Sequence, residues 1–196
     1  IVIGDFIRNA IDNYQNTRIL NLVHVRELIE QNYLTLKKIW PTAPAGIYSA
    51  GLGQRDINAQ IIFAGIQSIY KKTDQLNNID LILVDEAHLI PRNVNTMYGK
   101  FLAGLKKKNP KVKIIGFTAT PFRLDSGMLT EGTDAIFDDI AYECGIANMI
   151  DEGYLTEVIS KVTNVQLSIR DVRKRGGEFM AGDLEKAVNK KETTEL

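Results

Sequence analysis

The sequence predicts a three-layer α/β fold whose central sheet is mostly parallel. Short apolar runs of strand length alternate with helical stripes along the first 120 or so residues, the alternation from which βαβ units are built. Leu81-Ile82-Leu83-Val84 is apolar without a break, as a strand covered on both faces must be. At 196 residues, 44% of them hydrophobic and 24% charged, the chain has the length and composition of one ordinary globular domain, with a short lead-in to another.

Each element has its own signal. Ile3, Ile7, Ala10, Ile11 and Tyr14 fall on one stripe, so residues 1–15 read as an amphipathic helix. No Ser, Thr, Asp or Asn precedes Ile1 to cap it, an opening that predicts a start inside a longer chain. Residues 18–23 form a short apolar strand. Val25, Leu28, Ile29, Leu36 and Ile39 place a helix behind it that stops near Pro41. Residues 46–50 and 60–64 read as two strands joined by the turn-rich Gly51-Leu52-Gly53-Gln54-Arg55-Asp56. After the strand at 81–84 come a helix over roughly 96–108 and a strand at 113–117. Beyond about Thr156 the character changes: a long strand at 158–167, a charged linker at 170–177 and a polar helix at 181–190. The expected division is a first domain over 1–156, and over 157–196 a linker and the beginning of a second.

Composition excludes several classes of function. The single cysteine, Cys144, has no partner for an internal disulfide and no CxxC spacing for structural zinc. No apolar run approaches the roughly 20 residues of a membrane span, and no signal peptide opens the chain; the expectation is a cytoplasmic protein. With 24 basic and 24 acidic residues the net charge is zero, so a nucleic acid would have to be held by a local surface rather than by overall charge. Lys106, Lys107, Lys108, Lys111 and Lys113 form one basic cluster, although lysines at a helix end are more often simply solvated. Gly51-Leu52-Gly53 and Gly176-Gly177 lack a following Lys-Ser or Lys-Thr and read as turns.

Two segments carry the chemistry. In Asp85-Glu86-Ala87-His88 two carboxylates follow the buried strand, at the edge where open α/β sheets bind ligands. Transfer of a nucleotide phosphoryl group needs one carboxylate for Mg²⁺ and a second group to orient or deprotonate water; Asp85 suits the first role and Glu86 the second. An Asp-Glu pair that merely ends a strand and caps the next turn reads the same way. The second segment, Gly116-Phe117-Thr118-Ala119-Thr120-Pro121-Phe122-Arg123, ends another apolar strand in two hydroxyls one residue apart. Side chains two apart on an extended chain point the same way, so Thr118 and Thr120 are both expected to reach a polar neighbour such as His88. A Thr-rich strand end with no ligand is the plainer alternative.

DEAH and TATP about 30 residues apart, each closing an apolar strand, resemble motifs II and III of superfamily 2 helicases and translocases. Leu22-Val23-His24-Val25-Arg26-Glu27-Leu28 resembles motif Ia, and Ile62-Phe63-Ala64-Gly65-Ile66-Gln67-Ser68 the later motif that touches the nucleic-acid backbone. Residues 24–32, 50–52, 118–124 and 149–155 are similar to the RadD-like branch, kin to the helicase subunits of type I and type III restriction enzymes. The resemblance runs in order along nearly the whole chain. It implies the first RecA-like lobe of an ATP-dependent DNA helicase or translocase, active in DNA repair, using ATP with Mg²⁺. Asp85 would hold Mg²⁺ through water and Glu86 would be the general base. His88 with Thr118 and Thr120 would couple nucleotide state to grip on DNA, and His24, Arg26, Gln67 and Ser68, with Arg123 in support, would line the strand-binding surface. For His24 a helix-start histidine without a ligand fits equally, and Gln67 and Ser68 equally open the helix toward Lys72.

One part of that pattern is missing. GxxxxGK[ST] occurs nowhere in the chain. That loop cradles phosphates and supplies a lysine, so the 196 residues by themselves are expected to be close to inactive, ATP and Mg²⁺ binding poorly. The family places this loop just before the helix that residues 1–6 resemble, which predicts a chain beginning directly after it. Two alternatives remain: the motor of a restriction endonuclease subunit that pumps duplex DNA, and a non-catalytic DNA-binding module without a phosphate loop.

Overall fold

The computed structural model describes residues 1–76, 78–123, 127–157, 172–175 and 178–188. The chain divides into two compact units. One comprises residues 1–122 and 128–137, the other residues 123–127 and 138–196.

The first unit is the expected three-layer α/β domain. Helix α1 (Val2–Asn13) leads to β1 (Ile19–Val23), α2 (Arg26–Ile39), β2 (Ala45–Ser49), the two-residue β3 (Gln54–Arg55), β4 (Ile61–Gly65), the single turn α3 (Ile66–Ile69), β5 (Leu81–Asp85), α4 (Met97–Lys108) and β6 (Lys113–Phe117). The sheet order is β3-β2-β4-β1-β5-β6. β1 lies parallel to both β4 and β5, with Leu22 opposite Ala64 and Val84. β2 pairs parallel with β4, and β6 with β5. The turn-rich segment after β2 was expected to join two strands directly; instead Gln54 and Arg55 add an antiparallel edge opposite Ser49 and Tyr48. The Arg55 guanidinium stands 5.4 Å from the Tyr48 ring centre, a cation–π contact that fixes the added edge.

The strand period of two sorts the core into two layers. Leu20, Leu22, Ile62, Ala64, Ile82 and Val84 bury against Tyr98, Phe101 and Leu105 of α4. Ile19, Val23, Ile61, Phe63, Leu81 and Leu83 bury against Ile7 and Ile11 of α1 and Ile29 and Leu36 of α2. β1 and β4, in the centre of the sheet, are buried at every position. Phe63 is fully buried, and such a side chain contributes roughly 1.5–3 kcal/mol by leaving water. α1 starts without a side-chain cap. α4 is capped by Thr96, whose Oγ1 accepts the Gly99 amide at 3.2 Å. The lysines at the end of α4 complement its dipole. The Lys108 ammonium also donates to the carbonyls of Thr73, Asp74 and Leu76. That lysine cluster therefore sits at the amino ends of the strands, where Lys113 begins β6.

Beyond β6 lie the two-residue strands β7 (Phe122–Arg123) and β8 (Gly127–Met128). Within the first unit, Arg92 donates to the carbonyls of Glu131 and Met128 and to Asp134 Oδ1 at 3.0 Å. The segment this arginine holds carries Phe137, whose ring occupies the space over Gly116 in β6: a Cβ added there would lie 2.5 Å from the ring and 2.6 Å from Ala87.

The second unit contains α5 (Ile146–Asp151), an antiparallel pair of β9 (Lys174–Arg175) with β10 (Glu178–Phe179), and α6 (Ala181–Val188). The expected linker at 170–177 thus includes a strand, and α6 covers residues 181–188 of the expected polar helix. Arg173 grips Asp183 through Nε at 2.8 Å and Nη2 at 3.2 Å. The strand expected at 158–167 lies outside the described residues.

Candidate functional site

Five parallel strands end at one edge of the sheet, and the motif residues of the first unit follow those ends in spatial order. From β2 to β6 the row runs Ala50-Gly51, Gln67-Ser68, His24-Val25-Arg26, Asp85-Glu86 and Thr118. Strand ends are about 4.8 Å apart, so the row extends on the order of 20 Å. Only the sheet order produces it, because β4 falls between β2 and β1 although β1 comes first in the chain.

At the β5 end, Asp85 closes the strand with its side chain half-buried. Its Oδ2 accepts from Asn32 Nδ2 of α2 at 2.7 Å, and its Oδ1 from the Glu86 amide at 3.1 Å. A carboxylate offers about four lone-pair positions, of which these two bonds occupy two. Glu86 takes φ 52° and ψ 53°, the one left-handed non-glycine residue among those described. An L-residue is held there at a cost of about 1–2 kcal/mol, and such strain collects where a side chain must be aimed. The turn leaves the Glu86 side chain 44% exposed, with Oε2 3.4 Å from His88 Nδ1.

His88 Nδ1 also lies 2.9 Å from Thr118 Oγ1. The Thr118 hydroxyl donates to the Thr120 carbonyl at 3.0 Å and accepts the Thr120 amide at 3.0 Å. Thr118 Oγ1 thus sits between the His88 ring and the Thr120 backbone. The expectation that both threonines reach His88 needs correction on this point. β6 ends at Phe117 and the chain bends at Ala119, so the two-residue alternation of a strand no longer applies. Thr118 meets the histidine, and Thr120 contributes its backbone.

The remaining residues knit the other strand ends together. Gln67 Nε2 donates to the His24 carbonyl at 3.2 Å, joining β4 to β1. Ser68 Oγ accepts the Ala50 amide at 2.9 Å, joining β4 to β2. Arg26 opens α2, exposed, with its stem against Gly51. The His24 ring stacks on Tyr98 at 6.2 Å between centres and 11° between planes. Arg123, by contrast, is buried at 7% exposure and belongs to the second compact unit. Asn32 and Tyr98 were not foreseen. Asn32 closes the 24–32 segment that carries the resemblance but has no role implied by it, Tyr98 lies in no motif, and their roles come from Asp85 and His24, which they meet across the fold.

The donor set constrains the metal. No group of three or more His, Cys, Asp or Glu able to hold an ion occurs among the described residues. A lone Asp85 carboxylate with lone pairs to spare fits a cation that takes most of its ligands from water and phosphate, as Mg²⁺ does, and does not fit a protein-caged ion.

The family model of the type III restriction enzyme res subunit (ResIII) matches residues 1–123. The chain belongs to this family. A Saccharomyces cerevisiae protein named as a candidate ATP-dependent helicase, IRC3, is 31% identical over 206 aligned residues, covering 100% of this chain and 29% of that protein. The chain thus spans less than a third of that relative's length. Among solved structures, the UvsW helicase of bacteriophage T4 is 18% identical over 61% of this chain and 42% of its own, with a TM-score of 0.47. The SWI2/SNF2 ATPase core of Sulfolobus solfataricus, solved with double-stranded DNA, is 19% identical over 66% and 25%, with a TM-score of 0.45. No helix of the described residues is long and apolar enough to cross a membrane.

Proposed function

We propose that a protein carrying this chain is a DNA-dependent ATPase of the helicase type, and that the chain supplies the carboxylates of hydrolysis and part of the DNA track. The observation that carries this reading is the continuous row at the sheet edge, with the His88–Thr118 bond of 2.9 Å joining the ends of β5 and β6. DNA is preferred to RNA in this reading because the matched family is described by a restriction-enzyme subunit.

In this reading Glu86 is the general base. Its exposed carboxylate, aimed by the left-handed turn, accepts the proton of the water that attacks the γ-phosphate. Asp85, anchored by Asn32 and the Glu86 amide, would hold Mg²⁺ through water; that ion supplies neutralisation of phosphate charge. His88 relays a change at the Glu86 turn to Thr118. Along the other strand ends Arg26, Gln67 and Ser68, with His24, meet the phosphodiester backbone. Arg26 supplies charge, while Gln67 and Ser68 offer neutral hydrogen bonds of the kind that position a strand without reading sequence. For Arg123, which is buried, a supporting role rests on the family resemblance alone.

The test uses a chain that also carries a phosphate-binding loop. Hydrolysis is measured with no DNA, single strands and duplex, beside strand-displacement and triplex-displacement assays. DNA-stimulated turnover with strand displacement supports the helicase. Triplex displacement without strand separation supports the duplex pump of a restriction subunit. Absence of DNA stimulation refutes the proposal.

A further inference from the structure

The row at the sheet edge leaves one question open: what connects the DNA end, at β1, to the nucleotide end, at β5. The His88–Thr118 bond joins β5 to β6, on the far side from β1. Beneath the β1 end lies Tyr98, only 3% exposed. It shares an apolar cluster with Val84 and Ala87, the residues that bracket Asp85-Glu86. Its outer face stacks on the His24 ring, nearly parallel at 11°. His24 Nδ1 is buried with no hydrogen-bond partner among the described residues, and the His24 carbonyl accepts from Gln67.

Tyr98 itself is fixed. It is the second residue of α4, whose first turn is closed by the Thr96 cap. Gly99 lets the chain at Val94 cross within a distance that any Cβ would violate, 2.4 Å from the Val94 carbonyl. A ring anchored in its helix and stacked on a second ring transmits displacement, because packed cores shift between arrangements rather than deform continuously.

We propose that Tyr98 is a positioning residue through which DNA seated at His24 is felt at the Asp85–Glu86 carboxylates. The inference rests on the DNA track proposed above. Burial first, and then the charge of Asp85, raise the Tyr98 phenol above its ordinary value.

The experiment is nuclear magnetic resonance on this chain, titrated with a short oligothymidylate. The chain has two histidines, so the His24 ring signal is readily assigned, and the Asn32 side-chain amide reports on Asp85, to which it donates. In the wild-type chain both signals should move with one midpoint. In Tyr98→Leu the His24 signal should still move while the Asn32 shift is at least halved. Tyr98→Phe, which keeps the ring, should behave as wild type. An undiminished Asn32 shift in Tyr98→Leu overturns the relay and leaves the DNA track standing. Different midpoints in the wild type, or an Asn32 shift lost in Tyr98→Phe, also overturn it without needing a folded leucine variant. A His24 signal that does not move in the wild type refutes DNA at His24, and the relay with it.

Discussion

The left-handed conformation of Glu86 gives the DEAH turn a thermodynamic signature that two substitutions isolate. Glu86→Ala and Glu86→Gly both remove the carboxylate, so the contact at 3.4 Å from His88, worth at most about 1 kcal/mol for a half-exposed pair, is lost equally. What differs is the Cβ. At φ 52° the alanine keeps the penalty of about 1–2 kcal/mol for an L-residue in this region. Glycine is free of it, but loses roughly 0.5–1 kcal/mol more chain entropy on folding. The balance favours glycine by up to about 1.5 kcal/mol, or up to about 6 °C in melting temperature for a chain of this size. At an ordinary helical or extended position the order reverses. Thermal and urea unfolding of the two variants side by side decide the matter. Alanine more stable than glycine by 0.5 kcal/mol or more would show that the turn is not left-handed, and the aim given to the carboxylate would fall with it.

Other consequences follow from single contacts. Gly116→Ala places a methyl group 2.5 Å from the Phe137 ring, and overpacking of that kind should destabilise by about 1–3 kcal/mol; pairing it with Phe137→Leu should restore part of the loss in the same unfolding assay. Tyr98 has its phenol raised above the ordinary 10.0, first by burial and then by Asp85. Its stabilising effect is therefore complete below pH 10 and declines above it, at up to about 1.4 kcal/mol per pH unit. Tyr98→Phe should flatten that alkaline decline, and an unchanged alkaline profile would contradict the burial. Thr118→Val, which breaks the bond to His88, should lower DNA-stimulated hydrolysis about tenfold, the ~1.4 kcal/mol of one hydrogen bond. Thr120→Val, which spares the backbone contacts, should stay within about twofold; equal losses would argue against Thr118 as the contact.

The parts of the fold written in continuous apolar runs were legible. Leu81–Val84 and residues 113–117 are strands where the pattern put them, and helices α1, α2 and α4 fall within a few residues of their stripes. β3 was not legible. Gln54 and Arg55 have no apolar alternation, and the pair exists because Tyr48 and Ser49 offer a free edge. The Thr118–Thr120 geometry departs from the strand period for a related reason: β6 ends at Phe117 and the chain bends at Ala119. Within the site, residues inside motifs could be named from spacing. Asn32 and Tyr98 could not, since one meets Asp85 from 53 positions away and the other meets His24 from a helix packed beneath the sheet. Motifs mark what touches ligands, whereas the groups that hold those residues in place are set by tertiary packing.

The central claim is that the carboxylates at the β5 end hydrolyse ATP in response to DNA bound along the same edge. It is tested most directly by Glu86→Gln in a chain that carries its phosphate-binding loop, with hydrolysis and ATP retention both measured in the presence of DNA. The account predicts turnover reduced at least about a hundredfold, the scale of a lost general base, with ATP still bound. Turnover at the wild-type rate would contradict it.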